Sequence, residues 1–174
     1  GAGFIGSNFI KYMIANTAVE IINLDKLTYA GNKENLKEVE SNNRYRFIEG
    51  DICNQNLVNN IVSNDINIII NFAAESHVDR SIEDPGIFFD TNVSGTQNLL
   101  ESAVKYEIDK FIQISTDEVY GPGHNKHLHT EEDALAPTNP YAASKASADL
   151  LVLSYYHTYN LPVNISRSTN NYGP

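Results

Sequence analysis

The stretch "GAGFIG" (1–6) matches the pattern G-x-G-x-x-G and stands immediately before an amphipathic segment. Glycine lets a backbone approach a pyrophosphate closely, and the N-terminus of a helix offers free N–H groups to an anion. A glycine-rich turn is also a common structural element, so the motif by itself leaves both interpretations open. Residues 6–16 are predicted to be helical because four apolar residues recur there at helical spacing: Phe9, Ile10, Met13 and Ile14.

Downstream of this turn, short β-branched runs alternate with longer amphipathic segments. This alternation predicts an α/β fold with a doubly wound parallel sheet of the Rossmann-like type. We expect residues 1–174 to be a partial catalytic domain of a longer protein, without its first strand and without most of a C-terminal substrate domain. The predicted strands are 19–24, 45–48, 66–71 (fully buried), 110–114 and 163–166, and the further predicted helices are 33–40, 54–64, 84–106 and 140–159.

Composition narrows the class of protein. The 174 residues suit one domain, and 41% hydrophobic with 20% charged residues is typical of a globular chain rather than a disordered one. The net charge of −10 argues against nucleic acid and anionic membrane surfaces as partners. No apolar run approaches the ~20 residues of a membrane span, and no signal peptide is visible. The single cysteine, Cys53, favours a cytoplasmic location, and a half-buried side chain is favoured over a reactive thiol.

Polar residues cluster where the predicted strands end, which is where doubly wound sheets bind their ligands. Asp25 follows the strand 19–24, 19 residues after Gly6, where an acid bonds the ribose hydroxyls of NAD and repels the 2′-phosphate of NADP. Lys26, the next residue, weakens the preference for NAD over NADP because its ammonium attracts a phosphate. Asp51 is placed for the adenine edge or, equally well, as the N-cap of the next helix. The segments expected around one crevice are Asp25, Asp51, 71–76, 115–118 and 167–171.

A second pattern is "YAASK" (141–145), which places Tyr141 and Lys145 four residues apart on one helical face. A phenol with a pKa of about 10 is a poor base at neutral pH, but a neighbouring ammonium and an oxidised nicotinamide ring stabilise the phenolate and lower its pKa. An exposed helix pair is otherwise the commoner interpretation of this spacing. The hydroxyl pair Ser115 and Thr116, with Thr116 25 residues upstream of the tyrosine, completes an acid/base site for hydride transfer.

Eight stretches together resemble the extended short-chain dehydrogenase/reductase family and, within it, the dTDP-glucose 4,6-dehydratases. The resemblance covers essentially the whole chain, and the combination of "SHVDRS" with "STDEVYG" is more specific to the dehydratases than to related epimerases and decarboxylases. Two features depart from the family: the first glycine of its motif would precede Gly1, and Arg-Cys-Ser-Asn-Asn is replaced by "RSTNN" (167–171). The stretches are "GAGFIGS", "NLDKLTYAGN", "GDI", "NFAAESHVDRSI", "TNVSGT", "STDEVYG", "PYAASKASAD" and "RSTNNYGP".

The resemblance implies that residues 1–174 form an NAD-binding catalytic domain with a nucleotide-sugar as substrate. It also implies a homodimer formed by the helices 84–106 and 140–159. Three residues are implied in substrate binding: Ser76, Thr116 and Asn170. The residues implied in cofactor binding are Gly3, Phe4, Ile5, Gly6, Asp25, Lys26, Thr28, Asp51, Ile52, Ala73, Ala74, Ser76, Thr91, Tyr141, Lys145 and Asn171.

The resemblance further assigns a role to the acid pair Asp117-Glu118. Tyr141 takes the C4 hydroxyl proton during oxidation, Thr116 holds that hydroxyl, and Lys145 holds the tyrosine. Glu118 then removes the acidic C5 proton while Asp117, whose pKa must be raised for this, protonates the departing C6 hydroxyl. The implied reaction converts dTDP-glucose to dTDP-4-keto-6-deoxyglucose and water, with the hydride returned to C6.

The acid pair also helps to distinguish a dehydratase from the alternative interpretations of the sequence. A solvated surface turn would give Asp117-Glu118 no role, and a related epimerase or decarboxylase would carry apolar or small residues, or one acid, at these positions. A non-catalytic NAD-sensing regulator would be expected to lack Tyr141 or Lys145, and both are present. No metal is expected: "HNKHLH" (124–129), with His124, His127 and His129, indicates a solvated loop because carboxylates or cysteines that would support zinc are not in place. His77 is given no role.

Overall fold

The structure is a computed structural model that describes residues 1–123 and 128–173. Helices and strands alternate along these residues, which confirms the α/β class. Short 3₁₀ helices span Lys33–Leu36 and Asp117–Tyr120, and a π-helical segment spans Asp90–Gly95. The other elements are α1 (Phe4–Asn16), β1 (Ile21–Asp25), β2 (Tyr45–Glu49), α2 (Gln55–Val62), β3 (Ile68–Asn71), α3 (Val78–Glu83), α4 (Pro85–Phe89), α5 (Thr96–Lys105), β4 (Lys110–Thr116), α6 (Pro140–Tyr159) and β5 (Val163–Ser168).

All strand pairs in the described part of the chain are parallel, as predicted. β1 and β2 form a two-stranded sheet, and β3, β4 and β5 form a three-stranded sheet in that order. The expectation that residues 66–71 are fully buried is wrong, because the Ile68 side chain is 53% exposed. β3 is an edge strand of its sheet and pairs only with β4 among the described residues, so part of its surface faces solvent.

Two hydrophobic clusters hold these sheets and their helices together. The larger cluster joins α2, α5 and α6 to β3 and β4, and the smaller one joins α1 and the first 3₁₀ helix to the first two strands. The larger cluster includes Val58, Val62, Ile69, Leu99, Leu100, Ala103, Phe111 and Val152, and the smaller includes Ala2, Ile10, Ile14, Leu36 and Val39. The polar ends of the strands are left uncovered by this packing.

The segment predicted as one helix over 84–106 is divided. A short helix, α3, precedes it and ends at Glu83, because Pro85 lacks an N–H and disfavours a helical backbone at the residue before it. Asp84 is the N-cap residue of α4, but its side chain makes no capping hydrogen bond. The helix then continues through the π-helical segment to Lys105. This segment places Thr91 beside the carboxyl ends of the strands.

Candidate active site

A groove of about 320 Å³ runs along the carboxyl ends of β1, β2, β3 and β4. This position agrees with the rule for ligand sites in open α/β sheets. Its lining contains every cofactor residue implied by the resemblance except Asn171. Those residues are Gly3, Phe4, Ile5, Gly6, Asp25, Lys26, Thr28, Asp51, Ile52, Ala73, Ala74, Ser76, Thr91, Tyr141 and Lys145.

The glycine turn forms one end of this groove and begins α1. Gly3 is the N-cap residue and has no side chain to occupy the free N–H groups of the first turn. At Gly6 a Cβ atom would lie 2.7 Å from the Cα of Gly1, so only glycine allows the turn to close this tightly. The turn therefore presents unoccupied backbone donors to the groove, which is the arrangement that binds phosphate groups.

Asp25 holds the glycine turn against the end of β1. One carboxylate oxygen accepts hydrogen bonds from the backbone N–H of Ala2 and from the Gly1 nitrogen, each at 2.8 Å, and the other accepts from the N–H of Leu27 at 2.8 Å. Burial raises the pKa of Asp25, whereas the backbone N–H donors of Ala2 and Leu27 lower it. The hydrogen bonds keep the Asp25 side chain at the groove wall.

Lys26 and Asp51 face each other across the end of the first sheet, with 2.6 Å between the ammonium and a carboxylate oxygen. The other Asp51 oxygen accepts from the Cys53 N–H at 2.9 Å. Asn54, not Asp51, caps the following helix, by accepting from the Leu57 N–H at 3.1 Å. Of the two interpretations of Asp51, the structure therefore supports the groove residue. The Lys26 ammonium is turned towards Asp51, which leaves it less free to attract a 2′-phosphate.

The acid pair stands on the one-turn 3₁₀ helix that follows β4. Thr116 caps this helix by accepting from the Glu118 N–H at 3.3 Å, and its hydroxyl lies 3.4 Å from an Asp117 oxygen. Glu118 accepts a hydrogen bond of 3.2 Å from the Asn139 side-chain amide, and Asn139 also caps α6 through the Ala142 N–H at 2.8 Å. Both acids are half-buried. They are positioned against the start of α6 and do not form a freely solvated turn.

Tyr141 projects from the first turn of α6, next to the acid pair. Its ring packs edge-on against Phe88, with 6.4 Å between ring centroids. Burial raises the pKa of Tyr141, and the negative charges of Glu118 and Asp117 raise it further, while a hydrogen bond with Thr116 lowers it. In the chain alone the direction is thus opposite to the predicted lowering of this pKa. The main reason is that the phenol is buried, and the two carboxylates that face it add to the effect.

Lys145 is on the same helical face as Tyr141, as predicted, but its side chain contacts the sheet. Lys145 is 3% exposed, and its ammonium donates a hydrogen bond of 2.7 Å to the carbonyl oxygen of Ile114. Burial lowers the pKa of Lys145 to about 8, against the opposing charge of Asp149.

The structure places the three predicted substrate residues at different distances from the groove. Ser76 lines the groove, and Thr116 lies beside Tyr141. Asn170 is exposed and is not part of the groove lining. Asn171 lines a neighbouring cavity with Phe4 and Ile5, and its amide donates to the Ser168 hydroxyl and the Thr169 carbonyl at 3.1 and 3.2 Å. These two hydrogen bonds direct the Asn171 side chain back towards the end of β5.

Sequence reasoning missed a buried polar network behind the site. Ser115 donates to Asp149, so the predicted hydroxyl pair is divided: Ser115 faces the core and Thr116 faces the acids. Asn92, which is 1% exposed, bonds the Glu75 backbone at 2.9 Å and the Ser144 hydroxyl at 2.8 Å. The available signal was a polar residue on the buried face of a helix, for example Asp149 four residues after Lys145.

Within residues 1–123 and 128–173 no three His, Cys, Asp or Glu side chains are grouped so that they could hold a metal ion. His124 and His127 lie outside the described residues. His129 stacks on Tyr120, with 5.1 Å between ring centroids, and approaches Asp133 at 3.0 Å. In the same part of the chain, no helix combines the length and apolar character that crossing a membrane requires.

Comparison with known proteins places the whole chain in one family. The family model described as GDP-mannose 4,6 dehydratase matches residues 1–174. The chain belongs to the GDP-mannose 4,6 dehydratase family. This agrees with the resemblance carried by the sequence stretches and with the α/β architecture.

Individual members of this family are similar over the full length of the chain. The low-salt glycan biosynthesis protein Agl12 of Haloferax volcanii is 54% identical over 174 residues, which are 100% of this chain and 56% of that protein. The dTDP-glucose 4,6-dehydratase of Escherichia coli is 46% identical over 193 residues, 100% of this chain and 53% of that protein. The chain spans about half the length of the curated relatives that it matches.

A solved structure is similar in three dimensions as well. The crystal structure of DesIV, a dTDP-glucose 4,6-dehydratase from Streptomyces venezuelae with NAD and TYD bound, aligns with 99% of this chain and has 47% sequence identity. Its TM-score is 0.95, and the chain covers 55% of it. The two chains therefore share both the fold and a large part of the sequence of this region.

Proposed function

We propose that this chain is the cofactor-binding and catalytic part of an NAD-dependent nucleotide-sugar 4,6-dehydratase. The reaction is the conversion of dTDP-glucose to dTDP-4-keto-6-deoxyglucose and water. One observation carries the proposal: Asp117 and Glu118 are half-buried on a one-turn helix and lie close enough to Tyr141 for their charges to raise the pKa of its phenol. Two acids beside a tyrosine are needed for elimination, whereas oxidation alone needs neither.

The groove fits NAD. The glycine turn supplies free N–H groups for a pyrophosphate, and the Asp25 carboxylate lines the groove where a ribose hydroxyl would donate to it. When bound, NAD supplies a reversible hydride acceptor at the end of the groove next to Tyr141. The remaining lining residues that would hold it are Phe4, Ile5, Gly6, Lys26, Thr28, Asp51, Ile52, Ala73, Ala74, Ser76, Thr91 and Lys145, and Asn171 would join them by turning from its own loop.

Oxidation at C4 of the hexose requires a base for the hydroxyl proton. Tyr141 takes this proton, and the Thr116 hydroxyl, which already bonds the phenol, orients the C4 hydroxyl. The ammonium of Lys145 favours the phenolate once a substrate has displaced water from the site. This role is needed because the Tyr141 pKa is raised in the chain alone.

Elimination follows at the neighbouring carbons. The C4 ketone makes the C5 proton acidic, Glu118 removes it, and the C5 electron pair forms the C5–C6 double bond as the C6 hydroxyl departs with a proton from Asp117. The Asn139 amide, which donates to Glu118 at 3.2 Å, fixes the direction of that carboxylate. Hydride return to C6 and a proton to C5 give the product, so the overall change is the loss of one water.

The test replaces both acids by their amides in the full-length protein, as Asp117→Asn with Glu118→Gln. We expect substrate-dependent absorbance of reduced nicotinamide to remain, because Tyr141 and Lys145 are intact, while release of the 4-keto-6-deoxy product falls by at least ~10²-fold. The product is measured by its 4-keto chromophore in base.

The matched control is Glu131→Gln with Glu132→Gln, an adjacent pair of acids that is exposed. This variant should retain the product rate of the wild type. Near-normal product release by the Asp117/Glu118 variant would refute the assignment. Incubation with dTDP-, UDP- and GDP-hexoses then identifies the nucleotide, and formation of a C4 epimer or a decarboxylated sugar in place of the keto product would support the related epimerase or decarboxylase.

We further propose a cytoplasmic homodimer in which 1–174 is followed by a substrate domain that grips the nucleotide. The dimer is supported by exposed apolar side chains on the helices concerned, including Phe89 on α4 and Leu150 and Tyr156 on α6. The cytoplasmic location is supported by the single cysteine. Asn170 is proposed to reach the substrate when the segment after β5 packs against the sugar.

A further inference from the structure

Asp149 is a fully buried carboxylate at the centre of three elements. It is 0% exposed on α6, one turn beyond Lys145. One of its oxygens accepts from the Ser115 hydroxyl on β4 at 3.0 Å and from the Arg167 guanidinium on β5 at 2.8 Å. Its second oxygen has no hydrogen-bond partner in the described structure. A buried carboxylate with a free oxygen is costly, so a simple structural role is an incomplete account of it.

The charges around this carboxylate are few. Arg167 faces it from β5 and Lys145 from its own helix, and from β4 it meets only the Ser115 hydroxyl. Asp149 is in turn the one charged group that acts on buried Lys145 within the described residues. The remaining polar contact of that ammonium is the Ile114 carbonyl. Asp149 is therefore the counter-charge of Lys145.

The same carboxylate is linked to the acid pair through Arg167. The guanidinium donates a hydrogen bond of 2.7 Å to the Tyr120 hydroxyl and lies over the Tyr120 ring, 5.0 Å from its centroid. Tyr120 is the last residue of the 3₁₀ helix that begins at Asp117. Asp149 thus holds a side chain that supports this helix from behind.

We propose that Asp149 is a positioning residue for both halves of the reaction: its carboxylate keeps Lys145 protonated, and through Arg167 it fixes the helix that carries Asp117 and Glu118. This inference rests on the proposed function of Tyr141 and Lys145. The lowered pKa of Lys145 supports it, because an ammonium with a pKa of about 8 depends on any favourable charge near it. Asp149 itself touches neither substrate nor cofactor.

The test is Asp149→Asn in the full-length protein, with kcat and KM measured from pH 6 to 10 (about the range in which a lysine of lowered pKa titrates). The amide keeps the shape but removes the charge that favours the ammonium. We expect kcat at neutral pH to fall ~10-fold or more, KM to change little, and the alkaline limb of the profile to move to lower pH. The control Glu101→Gln, an exposed acid on α5, should retain the wild-type profile.

A second variant protects the test from a folding failure. Asp149→Asn leaves the half-buried Arg167 without its counter-charge, so Asp149→Asn with Arg167→Gln is made in parallel and restores neutrality. It should show the same shift of the alkaline limb. An unshifted limb in whichever variant folds would overturn the proposal, because a merely structural role lowers activity without moving a titration.

A titration of Lys145 separates this inference from the proposed function. The ¹⁵N signal of its side chain, assigned with Lys145→Arg, is followed against pH in the wild type and in the Asp149 variants. A lower midpoint in the variants supports the coupling even if no dehydratase activity is found. Equal midpoints refute the coupling even if dehydratase activity is present.

Discussion

At Cys53, the thiol donates a hydrogen bond of 3.3 Å to the Asp90 carbonyl while the Asp51 carboxylate lies beside it. Burial first, and then the charge of Asp51, raise the pKa of Cys53 to about 11, although Lys26 acts in the opposite direction. The side chain is half-buried, which agrees with the interpretation taken from the sequence.

The raised pKa predicts that the Cys53 thiol reacts slowly with electrophiles. At pH 8 only about one thiol in a thousand is ionised when the pKa is about 11. We expect the native protein to react with Ellman's reagent ~100-fold more slowly than the unfolded protein at this pH, and Asp51→Asn to accelerate the native reaction. Equal rates for native and unfolded protein would contradict the prediction.

Residue identity also decides how far the catalytic pair could be foreseen. The spacing of Tyr141 and Lys145 follows from the helical period, so their shared face was predictable. The direction of the Tyr141 pKa was not, because it depends first on the burial of the phenol and then on two carboxylates from another element. Sequence reasoning placed both Lys145 and the acid pair in the site of this tyrosine, but it could not show how deeply the phenol is buried.

Among the elements, α6 was predicted with its observed ends, since Pro140 begins it and Asn160 ends it in the left-handed conformation. Its N-cap residue, Asn139, has a second function that the sequence pattern does not reveal. The same side chain that caps the helix through its oxygen donates through its amide to Glu118. The Asn139 side chain therefore links the start of α6 directly to Glu118 of the acid pair.

This double role predicts different outcomes for two substitutions. Asn139→Ala removes the cap and the donor, so we expect a loss of about 1 kcal/mol in the free energy of unfolding and lower activity. Asn139→Asp keeps a good cap but opposes Glu118 with a carboxylate, so stability should change little while kcat falls ~10-fold. Urea unfolding and turnover of the full-length protein measure the two effects.

The control for these variants is Asn54→Ala, which removes the N-cap of α2 away from the acids. It should lose stability by a similar amount with unchanged turnover. If Asn139→Asp is as active as the wild type, the contact with Glu118 has no catalytic consequence.

For the whole molecule, the groove lies where two separately packed units meet. The first two strands and α1 contribute the glycine turn and Asp25, whereas the three-stranded sheet and α6 contribute Ser115, Tyr141 and Lys145. The acid pair is outside the groove lining and faces Tyr141 from the 3₁₀ helix after β4. The Arg80 guanidinium on α3 lies 4.2 Å from the centroid of the Tyr29 ring, which follows β1, and is one contact between the two units.

Burial of Lys145 also has a consequence for global stability. Its folded pKa of about 8 is below the ordinary 10.5, so the unfolded chain binds the proton more tightly. Between these two values the unfolded state holds more protons, and stability contributed by this residue therefore increases as pH rises through the window. Below pH 8 the burial cost of the ammonium is present in full.

We expect the free energy of unfolding of the wild type, relative to Lys145→Met, to increase between about pH 8 and pH 10.5. Urea unfolding of both proteins across this range is the measurement, and the difference cancels the titration of other groups. A difference that stays constant or falls with pH would show that Lys145 is not held as a desolvated ammonium.

By itself the sequence determined the class of fold, the parallel strands and the ends of α6, because these depend on local periodicity, proline and glycine positions and the ends of strands. Most groove residues were implied by the family resemblance and not by these patterns. Tertiary structure alone decided the partners of those residues. It turned Ser115 towards Asp149, directed the Lys145 ammonium to the Ile114 carbonyl, and exposed Ile68 at a sheet edge. Such outcomes depend on which side chains approach from distant parts of the chain, and a linear pattern carries no information about that distance.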